Sequence, residues 1–139
     1  MDEPTLGRCH HVGVAVKDIS AAVAQLQAAF GAKIESEIIH DQNQRVRLQF
    51  VRLGDLRVEL LEPAGAPSPL DGLLKRGIAF YQICHEVADL DGELARLQRV
   101  GVVVVSPPKP AEAFDGRRVA FVMCQGLVIE LLETDKERS

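Results

Sequence analysis

The sequence has no tryptophan and one tyrosine, and aromatic residues are only 4% of its 139 residues. A platform that stacks nucleic-acid bases needs such rings, so that class is excluded. Positive charge is also scarce: 16 Lys and Arg stand against 20 Asp and Glu, for a formal net charge of −4. Beyond Arg117 and Arg118 there is no basic cluster to meet a phosphate backbone. Cysteine is limited to Cys9, Cys84 and Cys124, an odd set without CxxC spacing, which excludes a disulfide framework and a zinc ribbon. No wholly apolar run, residues 102–105 included, nears the roughly 20 residues that span a bilayer. No charged-then-apolar leader opens the sequence, so a reducing cytoplasmic setting is expected. What remains is ordinary. Apolar residues at 47% and charged residues at 26% give one soluble domain enough core to exclude disorder.

The chain matches itself at an offset of 71 residues. Val16, Asp18, Ile19, Val23 and Leu26 fall on Val87, Asp89, Leu90, Leu94 and Leu97. Phe50 and Val51 fall on Phe121 and Val122, and VELLE at 58–62 falls on IELLE at 129–133. Three separated blocks agreeing at one offset point to a duplicated module. The expected organisation is a single domain, 1–139, made of module 8–63 and module 79–135 joined by a linker, 64–78.

Each module reads as βαβββ. Residues 10–16 are short and β-branched, hence a strand, and Asp18 is placed to cap a helix that Gly31 closes. Strands follow near 33–39, 46–53 and 56–62, the last two joined by a tight turn at Gly54 and Asp55. The second copy predicts a strand at 79–87, a helix at 89–100 between Asp89 and Gly101, and strands near 102–105, 117–123 and 127–133. A Pro/Gly-rich stretch at 63–69 leads into an amphipathic turn at 70–75, and a Pro-rich loop is expected at 106–116. The fold class is α+β: two tandem βαβββ modules whose curved mixed sheets enclose a cleft. One such module has too little core to stand alone.

Side-chain alternation selects the residues that face such a cleft. Glu59 and Glu130 are repeat partners set in apolar strands, where an uncompensated carboxylate costs several kcal/mol. His11 maps onto Gln82, and shares its face with the small residues Gly13 and Ala15. His10 shares a face with Val12, Val14 and Val16, the packed side. His85 has the opposite parity to Gln82 and is expected to point away. One imidazole, two carboxylates and an amide oxygen form a plausible donor set for a hard or borderline divalent ion. An ion so held leaves positions open for a bidentate oxygen substrate and stabilises an enolate. Arg117 and Arg118, at a strand start, offer a partner for a substrate carboxylate or phosphate, or a solvated edge.

The motifs HVGVAVKDI at 11–19, FVRLG at 50–54, VELLEP at 58–63, SPL at 68–70, ICHEV at 83–87 and LVIELLE at 127–133 span nearly the whole chain. With them the sequence resembles the vicinal oxygen chelate superfamily of glyoxalases, bleomycin-resistance proteins and extradiol dioxygenases, in particular its methylmalonyl-CoA epimerase-like branch. The resemblance implies paired modules around a divalent metal (Co, Mn, Ni or Zn) held by His11, Glu59, Gln82 and Glu130. The third position is usually His, and here it is Gln82. Epimerases of the branch are similar in using two proton carriers. One falls on Glu130; the other, on the loop before the third strand, falls on Asn43, which cannot take a proton, with Asp41 nearby. The resemblance therefore implies a metal-dependent epimerase, isomerase or lyase acting through an enolate on a small acid or thioester. A small-molecule substrate and a homodimer are expected, without nucleic acid or membrane. The alternative is a metal-free, resistance-type binding protein on the same fold. An accessory domain of a larger assembly has only the exposed-looking tail at 135–139 in its favour.

Overall fold

The computed structural model describes residues 6–134. The tail at 135–139, and with it the last residue of the expected second module, lies outside the described residues, as do residues 1–5. The described chain groups into two compact units, residues 11–81 and residues 6–10 with 82–134.

The first unit takes strand β1 (Cys9–Ala15) from His11 onward, helix α1 (Ile19–Phe30), and short strands β2 (Lys33–Ile34) and β3 (Ile39–Asp41). Strands β4 (Val46–Leu53) and β5 (Leu56–Pro63) form a long hairpin, followed by the short helix α2 (Asp71–Lys75). Helix α1 begins where Asp18, in extended conformation, accepts a hydrogen bond from the Ala21 amide at 2.9 Å. It ends at Gly31, whose φ of 67° is costly for any residue with a Cβ. The stripe of Ile19 and Val23 packs on Val51, Val58 and Leu60, so the helix covers one face of the β4–β5 hairpin. The other face is left to carry the site. The strand order is β2-β4-β5-β1, with β3 also on β4; β1 is parallel to β5, and β4 is antiparallel to it.

The second unit takes strand β6 (Phe80–Val87) from Gln82 onward, then helix α3 (Leu90–Arg99) and strands β7 (Val103–Pro110), β8 (Arg118–Cys124) and β9 (Leu127–Glu133). A single 3₁₀ turn, Glu112–Phe114, precedes β8. The order is β6-β9-β8-β7, with β6 parallel to β9. Leu90 and Leu94 pack on Val122 and Leu131. Contacts recur 71 residues apart. Asp89 accepts from the Gly92 amide at 3.0 Å as Asp18 does from Ala21, and Arg118 bridges Glu133 at 2.6 Å as Arg47 bridges Glu62 at 2.9 Å.

Three local expectations are corrected. The strand expected at 33–39 is broken into β2 and β3, because Ser36 Oγ accepts the Phe50 amide at 2.9 Å and so replaces a backbone ladder partner. Helix α3 stops at Arg99 with Val100 (φ −99°) as its cap rather than Gly101; the amides of Val100, Gly101 and Val102 close back on the carbonyls of Leu97 and Gln98. The strand expected at 102–105 runs on to Pro110, through part of the stretch read as a loop. Pro107, Pro108 and Pro110 are tolerated because β7 ends the strand order and its pairing with β8 slips register twice.

Candidate functional site

In the unit of residues 11–81, β1 and β5 lie parallel with Gly13 opposite Glu59. Two residues before Gly13 on the same face, His11 is completely buried, and its Nε2 stands 3.4 Å from Oε1 of Glu59, itself 3% exposed. The His11 ring meets Phe50 edge-on at 5.3 Å between centroids, and Phe50 is the antiparallel partner of Glu59. An imidazole and a carboxylate are thus held together against an aromatic wall. The expected alternation on β1 holds, since His11, Gly13 and Ala15 are buried and the residues between them only partly so.

The second unit repeats the arrangement with an amide for the imidazole. Cys84 on β6 is opposite Glu130 on β9, as Gly13 is opposite Glu59. Gln82 Nε2 donates to Glu130 Oε1 at 3.2 Å, and both residues are buried. Phe121 lies across from Glu130 as Phe50 lies across from Glu59. The structure therefore joins His11 to Glu59 in one unit and Gln82 to Glu130 in the other. Phe50 and Phe121 were missed as site residues. Their signal was available in the repeat, which pairs them at the same offset as the carboxylates.

Of the residues set aside, His10 departs from its parity: it is half-buried, meets the Phe114 ring edge-on at 5.3 Å, and brings a ring nitrogen within 4.8 Å of the Cys84 sulfur on the buried face of β6. His85 bonds through Nδ1 to the Gly7 carbonyl at 2.8 Å, away from the buried face of Gln82. Asp41 pairs with Val46, four residues and about 13 Å along β4 from Phe50, and its Oδ1 accepts the Gln44 amide at 3.1 Å. It holds the turn that contains Asn43. A surface groove of about 410 Å³ beside Lys17, Asp18, Gln25, Leu74 and Ile78 includes none of the four paired residues.

Arg118 is neither a solvated edge nor an open anion partner: it is bound to Glu133 at 2.6 Å and to Asp91 at 2.9 Å, which raise its pKa. Glu86 shares the buried face of Gln82 and Cys84, and is bound by Arg8 at 2.7 Å. Burial alone would raise its pKa; the hydrogen bond and charge of Arg8, with His10 and Arg117, outweigh burial and hold it below the ordinary carboxylate range. A depressed pKa stabilises the fold above the pKa of the unfolded chain, and that stability is lost as pH falls through the lower, folded value. Glu86→Gln is therefore expected to flatten the acid limb of the stability–pH curve. Denaturant midpoints measured from neutral pH downward check it; an acid limb as steep as the parent's would refute this account of Glu86.

The model of the Glyoxalase/Bleomycin resistance protein/Dioxygenase superfamily matches residues 10–121, and the chain belongs to that superfamily. It is 33% identical over 119 residues to the ethylmalonyl-CoA/methylmalonyl-CoA epimerase of Cereibacter sphaeroides, covering 84% of this chain and 88% of the relative. The human mitochondrial methylmalonyl-CoA epimerase is 33% identical over 131 residues, covering 91% and 73%. Among solved structures, a variant of the Streptomyces coelicolor methylmalonyl-CoA epimerase in complex with 2-nitronate-propionyl-CoA aligns with a TM-score of 0.80 and 28% identity, covering 94% of this chain and 96% of that one. Within the superfamily the likeness is to the epimerase branch.

Proposed function

We propose that the protein is a divalent-metal-dependent enzyme that moves the proton on the carbon beside the thioester carbonyl of a 2-alkylmalonyl-CoA. The observation that carries this reading is the repeated pair: Glu59 and Glu130, both buried, each touch the donor residue of the neighbouring parallel strand. The relatives named ethylmalonyl-CoA and methylmalonyl-CoA epimerases support the substrate class. The donor set fits Co, Mn, Ni or Zn, with His11 giving nitrogen, Glu59 and Glu130 carboxylate oxygen, and Gln82 its amide oxygen. A divalent ion there supplies Lewis-acid stabilisation of negative charge on a substrate oxygen. Glu130 would take the proton from carbon on its own face, and exchange of that carboxylic proton with solvent before the enolate is reprotonated would put solvent hydrogen on the carbon. The same reading takes residues 8–63 and 79–135 as duplicated modules of one domain. It places the protein in the cytoplasm as a homodimer, which sedimentation checks. Among the described residues no helix is long and apolar enough to cross a membrane.

The test is metal content of untagged protein together with its thermal midpoint on addition of Co, Mn, Ni or Zn. Saturation at a hundred times the dissociation constant stabilises a fold by about 2.7 kcal/mol. A protein with no bound ion and an unmoved midpoint sinks the proposal. A metal-free binding protein is the second reading, favoured by the amide at Gln82, already hydrogen-bonded to Glu130. Gln82→His separates the two: metal affinity rises at least about tenfold if the parent is a metal site, because imidazole is the better donor to these ions. An unchanged affinity supports the binder.

A further inference from the structure

We infer that His10 and Cys84 form a second metal site, one that takes a soft or borderline ion such as Zn²⁺ or Cd²⁺, and that an ion held there stops proton transfer at Glu130. The effect on Glu130 rests on the function proposed above; the site itself does not. Both residues belong to the unit of residues 6–10 and 82–134. The Gly7 amide donates to the Glu86 carbonyl at 2.7 Å, and the Glu86 amide to the Arg8 carbonyl at 3.0 Å, which lays the start of β1 along β6. His10 is thereby brought to Cys84, with a ring nitrogen within 4.8 Å of the sulfur. Zinc bonds a thiolate at about 2.3 Å and an imidazole nitrogen at about 2.0–2.1 Å, so one ion bridges the pair with no more than a side-chain adjustment.

Packing holds both donors in place. Cys84 is completely buried, and the His10 ring stands edge-on to Phe114 at 5.3 Å. His10, the half-buried member, is where an ion arrives from solvent. Sulfur sets the preference. The set of His11, Glu59, Gln82 and Glu130 offers one nitrogen and three oxygens, which suits Mn and Co; a thiolate with an imidazole suits Zn and softer ions. Zinc therefore has two places to bind where manganese has one. Cys84 is also the register partner of Glu130 on the parallel strand β9. One strand spacing, about 4.8 Å, separates them. An ion on the sulfur puts positive charge beside that carboxylate and attracts it away from a substrate carbon. Zinc beyond the first equivalent is then inhibitory, and manganese is not.

The experiment adds Cd²⁺ to the Cys9→Ser/Cys124→Ser double variant, in which Cys84 is the only thiol left and both changed positions are exposed. Cadmium NMR reads it, because a sulfur ligand moves the resonance far downfield of an ion held by nitrogen and oxygen alone. Two resonances are expected at two equivalents, one of them downfield. His10→Gln should weaken the downfield site by more than the roughly 10–100-fold that outer partners of a metal are worth. The signal is read with Cys84 intact, so the test does not depend on how the buried thiol tolerates replacement. A missing downfield resonance, or one indifferent to His10→Gln, overturns the site. The second arm adds zinc to manganese-loaded protein during α-hydrogen exchange on methylmalonyl-CoA. The parent should slow by about 10²–10⁴-fold, the worth of the acid–base group withdrawn, and His10→Gln should not. Equal slowing of the two overturns the inhibition. A parent inactive with every metal removes the proposed function, and the inhibition with it, while the cadmium signal still decides the site.

Discussion

Replacing Glu130 with Gln is expected to slow α-hydrogen exchange on methylmalonyl-CoA by about 10²–10⁴-fold, the usual worth of a positioned acid–base group. The substitution is nearly isosteric, and Gln retains a carbonyl oxygen for the bond that Gln82 Nε2 now donates to Oε1. The packing against Phe121 should survive, so with metal held saturating the loss reads proton transfer rather than collapse or loss of the ion. Glu59→Gln is the control. It removes the equivalent carboxylate beside His11, and should weaken metal binding more than it slows exchange at saturating metal. Exchange is followed by NMR in deuterated water. A Glu130→Gln rate within tenfold of the parent's, or equal losses at the two positions, would remove Glu130 from its assigned role.

The second large effect concerns stability. Leu60 and Leu131 are repeat partners, each 1% exposed. Leu60 packs with Ile19, Val23, Val51 and Val58, and Leu131 with Val87, Leu90, Leu94 and Val122. Each anchors its helix on its sheet, and the density of such interiors lets little relax into a vacated volume. Leu60→Ala and Leu131→Ala are each expected to cost about 2–5 kcal/mol. Against a total of about 5–15 kcal/mol for a small protein, either is severe. Denaturant midpoints with an unchanged slope would measure it. A cost below 1 kcal/mol at either position would mean that the core there repacks freely.

Much of this architecture could be read from the chain because it is written twice. Asp18 and Asp89 both cap their helices, and Glu59 and Glu130 stand out as carboxylates in apolar strands only when seen together. What could not be read has physical causes. Ser36 breaks a strand by offering a hydroxyl to the Phe50 amide, a contact 14 residues away that no local pattern announces. Pro107 and Pro108 carry the composition of a loop, yet sit in β7 because an edge strand needs ladder amides on one side only. The balance of Arg8, Arg117 and Arg118 by Glu86, Asp91 and Glu133 joins residues far apart in the chain, which spacing does not encode.

Those prolines have a bearing on colloidal behaviour. Strand β7 ends its sheet order, and Val103 and Val105 on it are exposed β-branched residues. An unguarded edge of this kind templates addition of foreign strands. Prolines at 107, 108 and 110, with Lys109 among them, remove the amides and add a charge over the C-terminal half of β7. An incoming strand finds donors only over the first few residues, too short a run to zip up. The prolines thereby act as gatekeepers, and variants that restore amides at 107 and 108 are expected to favour fibrous association.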